Sequence, residues 1–273
     1  MPPETEQCLK SQSAMIVGLA RNCAGSLKET LKRLDRFRAT FAFTRYVIIT
    51  NDSVDETSLC LHEWARGRSD IEIIVADGLV ENVPLRTARL AVARNMLLQR
   101  LQYEHRKGER FDYLLMLDLD GPNANLLDEP YFTEVITDAP REWGALFANQ
   151  RTTYYDIWAL RHPTWCPKDC HQEVAEAKKY FFWPIRRYMA RKAYRRYVKN
   201  RQIHIDSSTN PIPVNSAFGG FGIYRTKYLA SAYYVGLTAE GKEVCEHVHF
   251  HSMIANNGAK LYILPELLND SGR

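Results

Sequence analysis

No stretch of this chain approaches the roughly 18 consecutive apolar residues that a membrane-spanning helix needs. Its first residues, MPPETEQCLKSQS, lack the charged-then-apolar order of a secretory signal. A soluble or membrane-peripheral protein of the cytoplasm is therefore expected, with residues 1–13 disordered. Cysteine is scarce: Cys8, Cys23, Cys60, Cys166, Cys170 and Cys245 fall at irregular spacings, which argues for reduced thiols rather than a disulfide framework. Cys166-x3-Cys170-His171 has no second ligand pair at zinc-finger spacing. Absent too are a Gly-x-Gly-x-x-Gly fingerprint after the first apolar run and any phosphate-loop signature, which disfavours dinucleotide dehydrogenases and P-loop enzymes. The last shortage is local. Lys178–Arg201 holds ten Lys/Arg and no Asp or Glu, so it more than accounts for the net charge of +4 and leaves the rest of the chain net acidic.

What is present suits a globular protein. With 273 residues, 45% of them hydrophobic and 25% charged, the chain can bury a substantial core as one large or two small, intimately packed domains. Ala14–Ala20 predicts a short buried strand, followed by a helix from Gly25 or Ser26 to about Arg38 with Leu27, Leu31, Leu34 and Phe37 on one face. Tyr46–Thr50 predicts a second strand, about 56–66 a second helix, and Ile71–Ala76 a third strand. A long helix then runs from Pro84 to about His105. Strands alternating with helices imply a mostly parallel α/β sheet with helices on both faces.

The long helix carries an oddity. Leu85, Val92, Ala93 and Met96 predict an apolar stripe, and Arg89 falls on it. A guanidinium there needs an anionic partner or must reach out to water. Arg86, Arg89 and Arg94 together suit a diphosphate, although a structural ion pair explains any one of them equally well.

Phe111–Asn123, FDYLLMLDLDGPN, is the most informative stretch. Tyr113–Leu117 is too short for a buried helix and suits a strand covered on both faces. It breaks into Asp118-Leu119-Asp120 and turns at Gly121-Pro122. Two carboxylates thus stand at the carboxyl end of a central strand, where open α/β sheets bind ligands. Residues i and i+2 of a strand point the same way, so both can face one hard cation, or one the cation and the other a sugar hydroxyl. The plain alternative is that they only begin a surface turn.

Beyond Asn123 the alternation stops. Trp143–Ala148 predicts a strand, and Arg151–Arg161 (RTTYYDIWALR) is aromatic with one embedded acid, Asp156. Ala217–Arg225 places Gly219, Gly220 and Gly222 where backbone can approach a ligand. Glu243–His251 (EVCEHVHFH) packs two acids and three histidines into nine residues, which reads either as a functional cluster or as a solvated helix face. Ile263–Leu268 closes the fold, with the last five residues loose.

Taken together, LARNCAGSL, NDSVDET, RTARLAVARNMLL, LDLDGPN, YYDIWALR, GGFGIYR and CEHVHFH resemble a GT-A-type glycosyltransferase over residues 14–268. The ordered set is similar to the fungal capsule-associated alpha-1,3-mannosyltransferases (the CAP59-like family) and their bacterial relatives. The resemblance implies a sugar-nucleotide-binding half over 14–123 and an acceptor-binding, catalytic half of the same domain over 124–268. It implies Mn2+ or Mg2+, a UDP- or GDP-sugar donor, and a glycan or lipid-linked acceptor. By position, Ala20, Arg21, Asn22 and Asp52 would contact base and ribose, and Arg89 and Arg94 the diphosphate. Asp118 would meet the ribose or, through water, the metal, which Asp120 would bind directly. Gly219 and Gly220 would lie near donor sugar and acceptor. Glu246 matches the general base of inverting members, with Asp156 a second candidate catalytic acid. His251, or less readily His249, would complete the metal shell, although that histidine usually lies further beyond the base than five residues. Both inverting and retaining chemistry remain open.

Competing expectations are a sugar-phosphate nucleotidyltransferase and a non-enzymatic carbohydrate- or membrane-binding module. The first would usually show a glycine-rich basic loop, whereas Leu19-Ala20-Arg21-Asn22-Cys23 is glycine-free. In Lys178–Arg201, Ile185, Tyr188 and Met189 share a helical face that Ala193 and Tyr197 continue, which predicts peripheral contact with an anionic membrane. The alternatives are a solvated helix whose aromatics pack inward on the sheet, an anionic glycan, or a nucleic acid, RNA, held by cation and stacking contacts.

Overall fold

The computed structural model describes residues 9–126, 129–179, 182, 183 and 185–270. In chain order they form β1 (Ser13–Ala20), α1 (Ala24–Arg36), β2 (Phe43–Thr50), α2 (Thr57–Ala65), β3 (Ile71–Val75), α3 (Arg86–Arg106), β4 (Tyr113–Asp118), α4 (Glu129–Thr137), β5 (Trp143–Gln150), α5 (Cys170–Ala177), α6 (Ile185–Tyr197), β6 (Ile212–Pro213), β7 (Phe221–Arg225), α7 (Glu246–Asn256) and β8 (Lys260–Asn269), with short single-turn pieces between. One sheet takes all these strands in the order β3-β2-β1-β4-β7-β5-β8-β6. The β1, β2, β3 and β4 pairs and the β5–β8 pair are parallel, while β7 and β6 join antiparallel. Both halves of the chain thus share a single sheet.

The two-residue period of the strands divides the core. On β4, Leu114 and Met116 pack to one side, and Tyr113, Leu115 and Leu117 to the other. On β1, Met15 and Val17 join the first side, and Ala14 and Ile16 the second. The first layer is closed by α3 and α7 through Leu97, Leu101, Phe250 and Ile254. The second is closed by α1, α2 and α4 through Leu27, Leu31, Leu61 and Phe132. Burial on both faces is why these runs are continuously apolar.

Several expectations shift. Leu9 is buried and Ser13 already belongs to β1, so disorder does not extend over 9–13, while residues 1–8 lie outside the described residues. At the other end Asn269 is fully buried, its Nδ2 donating to Gly219 O at 2.9 Å and to Asn123 Oδ1 at 3.0 Å. The Asp270 N–H donates to Pro122 O at 2.9 Å, so the last described residues are tied down. In α3, Leu85 and Val92 face water and the buried guanidinium is that of Arg94, not Arg89. Arg89 instead donates to Val83 O and Pro84 O at 2.8 and 3.1 Å, closing the turn before the helix. The cluster around residue 246 is no solvated face: Glu246, His247, Phe250 and His251 are all buried.

Candidate active site

The carboxyl ends of β1, β2 and β4 finish beside α3 and the first turn of α7, and a cleft of about 360 Å³ opens there. Of the residues singled out from sequence, Ala20, Arg21, Asn22, Arg89, Arg94, Asp118, Asp120, Asp156 and Glu246 all line it. Asp52, Gly219, Gly220 and His251 do not. Asn51, Arg86, Tyr155, Trp158, Phe218 and His247 complete the walls.

The first loop explains the motif that follows β2. The N–H of Asn22 donates to Ser53 Oγ at 3.3 Å, that of Cys23 to Thr57 Oγ1 at 2.8 Å, and that of Ala24 to Asp55 Oδ2 at 3.1 Å. Asn22 Oδ1 in turn accepts from the Val54 N–H at 2.8 Å. Asn-Asp-Ser-x-Asp-x-Thr is thus a clamp on the loop after β1. The N–H groups of Asn22, Cys23 and Ala24 are thereby engaged and are not free to cradle a phosphate as a phosphate loop does. Asp52 is spent in the same way. Its carboxylate accepts from the Gly78 and Val80 N–H groups at 2.6 and 2.9 Å and from Asn51 Nδ2 at 2.8 Å, bonds that hold it below the usual carboxylate range. Asp52 is thus engaged within the fold, and it is its neighbour Asn51 that lines the cleft.

Gly219 and Gly220 also serve the fold. Gly219 has φ +64°, and a Cβ there would lie 2.6 Å from Ala148 O, so glycine is needed for approach to β5 rather than to a ligand. Gly220 has φ +81°, and its carbonyl accepts from the Asp118 N–H at 2.9 Å and from Asn123 Nδ2 at 2.8 Å. Asn123 Nδ2 also donates to Asp118 O at 2.8 Å, so this clamp sets the end of β4 from which the two carboxylates emerge.

Arg94 holds the floor of the cleft. Its Nη2 donates to Asp118 Oδ1 at 3.1 Å and its Nη1 is ion-paired to Glu246 Oε1, with Phe218 and Tyr234 rings against the guanidinium. It joins α3, β4 and α7 through residues 24 and 152 positions away in the chain. The Asp118 carboxyl is nonetheless pushed up to about 6, by burial first, with Arg94 opposing and Asp120 and Asp156 adding to the rise. Burial likewise raises Asp156, against the Gly219 and Ala159 N–H groups that donate to it at 3.1 and 3.3 Å. Replacing Arg94 by Met would leave the carboxylates of Asp118 and Glu246 without the cation they share. Loss of one partner from such a buried pair costs about 3–5 kcal/mol. Denaturant unfolding of Arg94→Met is expected to show a loss of that size, with Arg94→Lys in between; a variant as stable as the parent would remove Arg94 from this role.

The histidines separate by their hydrogen bonds. His251 Nδ1 pairs with Ser216 Oγ at 2.8 Å and Nε2 with Tyr224 Oη at 3.0 Å, and burial, aided by Arg94, holds the ring neutral with a pKa pushed down to about 3. With both nitrogens engaged in the core, His251 does not complete a metal shell in the cleft. His249 lies off the cleft beside Tyr233. The histidine that lines the cleft is His247, stacked on Phe218 with ring centroids 4.0 Å apart. Both its nitrogens are buried without a hydrogen-bond partner among the described residues, and Nε2 is 3.8 Å from Glu246 Oε1. Burial, then Arg94 and His251, drives its pKa well below the usual value. His247 and His251 are four apart and share a helix face. Only the surroundings distinguish them.

No group of three or more His, Cys, Asp or Glu side chains is set to hold a metal by itself among the described residues. Among the donors lining the cleft, which also include Asp156 and the Arg94-paired Glu246, are the carboxylates of Asp118 and Asp120 at the end of β4 and the orphaned imidazole of His247. That set fits Mg2+ or Mn2+, which are commonly held by one or two carboxylates with phosphate oxygens of a bound ligand completing the shell. Arg21 and Arg86 also line the cleft and pair with no carboxylate among the described residues.

No protein-family model and no curated protein sequence matches the chain, so the finer likeness to the capsule-associated enzymes has no counterpart there. Solved structures do match. The mannosyltransferase PcManGT from Pyrobaculum calidifontis, in complex with GDP-Man and Mn2+, aligns with TM-score 0.51 and 13% identity over 95% of this chain and 56% of its own. Residues 1–349 of S. aureus TarS align with TM-score 0.52 and 13% identity over 94% of this chain and 59% of that one. The chain has the GT-A fold. The cleft lies at the carboxyl ends of the parallel strands of this fold, and the first turn of α7 closes it. The chain spans somewhat over half the length of these GT-A structures.

Proposed function

We propose that this protein is a metal-dependent glycosyltransferase that moves a sugar from a UDP- or GDP-sugar to a glycan or lipid-linked acceptor. One observation carries the reading. The GT-A cleft gathers Asp118 and Asp120 at the end of β4 with Arg21 and Arg86, two guanidiniums that form no ion pair with a carboxylate among the described residues. Such a site has acids for a hard cation and cations for a diphosphate.

The roles follow from placement. Ala20, Arg21, Asn22 and Asn51 sit at the ends of β1 and β2 and receive the nucleoside. Arg21, Arg86 and Arg89 take the diphosphate. Asp120 is the direct metal ligand, with Asp118 held back by Arg94 to act on ribose or through water, and His247 the available nitrogen donor. A divalent ion there would neutralise the charge that builds on the leaving diphosphate. Glu246, anchored by Arg94, is the carboxylate that takes the proton of the acceptor hydroxyl if the reaction inverts, or orients the acceptor if it retains. Asp156 is the second carboxylate open to the acceptor. PcManGT with GDP-Man and Mn2+, and TarS 1–349 in complex with UDP, support the nucleotide-sugar and metal parts of the reading.

A thermal-shift screen of UDP, GDP and their sugar conjugates, with and without Mn2+, tests it. A ligand at ~100 times its dissociation constant adds roughly 2.7 kcal/mol of stability. Stabilisation by a nucleoside diphosphate that requires Mn2+ or Mg2+ and vanishes in chelator is expected. No shift with any nucleotide, or a shift indifferent to metal, speaks against the reading.

A further inference from the structure

α6 sits on the body of the protein with two of its tyrosines, Tyr188 and Tyr194, turned outward. Ala193 and Tyr197 face the core, Ala193 being buried within it and Tyr197 packed against it, while Met189 is half-buried. The face expected from spacing alone, Ile185, Tyr188, Met189, Ala193 and Tyr197, is therefore divided between core and solvent. Phe182 is 71% exposed, Trp183 75% and Tyr188 66%, with Ile185 and Tyr194 each 42%. Tyr180, Phe181 and Pro184 lie outside the described residues. Large apolar side chains clustered in water mark a surface that meets something else.

The charges around them say what. Arg186, Arg187, Arg191, Lys192 and Arg195 are exposed or half-exposed, and none pairs with a carboxylate among the described residues. The contrast is Arg201 just beyond the helix, which is ion-paired to Glu173. Five such cations within ten residues of one helix that holds no acid repel one another until an anionic surface meets them. α6 is 13 residues long and too polar to enter hydrocarbon, so it is suited to lie along an interface rather than cross it.

We propose that Phe182, Trp183, Tyr188 and Tyr194 with the basic side chains of α6 form a docking surface for an anionic lipid membrane. The aromatic rings enter the headgroup boundary and the guanidiniums meet lipid phosphates. The surface is tied to the cleft. Past α6, Gln202 Nε2 donates to Tyr155 O at 3.1 Å and Ile203 O accepts from the Tyr154 N–H at 2.9 Å, in the loop that supplies Tyr155 and Asp156 to the cleft wall. Attachment through α6 thus brings the cleft to a lipid-linked acceptor; this last point alone rests on the glycosyltransferase reading.

Co-sedimentation of the full chain with phosphatidylcholine vesicles, with and without phosphatidylglycerol, tests the proposal. Binding is expected only with the anionic lipid, and it should fade as salt shortens the screening length to ~10 Å at 0.1 M and below. Replacing Arg186, Arg187, Arg191 and Lys192 together with Gln should weaken binding on the order of 100-fold or more. Phe182→Ala with Trp183→Ala should weaken it at every salt concentration, and both variants should melt as the parent does. Three results overturn the proposal: parent protein left in the supernatant with anionic vesicles at low salt, a four-glutamine variant that binds like the parent, or binding to single-stranded RNA without binding to vesicles. Metal-dependent nucleotide binding by the same preparations reports separately on the cleft, so failure of either reading leaves the other standing.

Discussion

Asp120→Asn is expected to abolish metal-dependent nucleotide binding and to lower sugar transfer by about 10³-fold or more, while leaving the fold intact. Asp120 stands in the turn just past β4, exposed to solvent and lining the cleft. An exposed substitution of this kind changes stability by only about 0.5 kcal/mol. Its effect on chemistry is of another order. An amide is a poor ligand for a hard cation, and the charge stabilisation such an ion gives a leaving diphosphate amounts to several kcal/mol, each 1.36 kcal/mol being about tenfold in rate. The measurements are isothermal titration of UDP or GDP with and without Mn2+, and turnover with the donor that stabilises the parent protein. Full transfer by the variant, or full transfer by the parent in chelator, would remove the metal role from Asp120.

Glu246→Gln separates two mechanisms. The side chain is buried at the start of α7 and ion-paired to Arg94, which also reaches Asp118. A glutamine keeps an acceptor oxygen for Arg94 and roughly the same volume, so donor binding should hold. If Glu246 takes the acceptor proton, turnover should fall by roughly 10²–10⁴-fold. The anomeric configuration of the product, read by NMR, gives an independent answer. Inversion together with that loss assigns the base to Glu246. Retention removes the base role whatever the variant does, and leaves Glu246 to orient the acceptor.

The fold was legible because its signals are local. The apolar runs that became β1, β2 and β4 are continuous since both faces of each strand are buried. Asp-x-Asp before Gly-Pro needed only the period of a strand and the knowledge that a turn follows. Less legible was the purpose of polar residues whose partners are distant in the chain. Asp52 looks like a ligand-binding acid after a strand, yet its oxygens are taken by Gly78 and Val80. The glycines at 219 and 220 look like a ligand loop, yet their missing side chains make room for Ala148, Pro122 and Tyr155. Hydrogen-bond partners of this kind follow from the sheet register and from loops closing across it, which no local pattern encodes.

By itself the sequence determined the alternation of strands and helices, the parallel start of the sheet, and two carboxylates at the end of a central strand, because strand and helix periods are properties of the backbone. It also determined that the segment around residues 182–197 is aromatic and basic. Tertiary structure alone decided which groups do what. In α3, the rotation of the helix about its axis buried Arg94 and left Arg86 lining the cleft with no ion pair among the described residues. In α7, the same kind of rotation gave His251 to Ser216 and Tyr224 and left His247 in the cleft wall with no hydrogen-bond partner among the described residues. In α6 it turned Tyr188 and Tyr194 outward and Ala193 inward. Spacing of three or four residues defines a face of a helix, but the direction that face points depends on what packs against it, and those neighbours arrive from far along the chain.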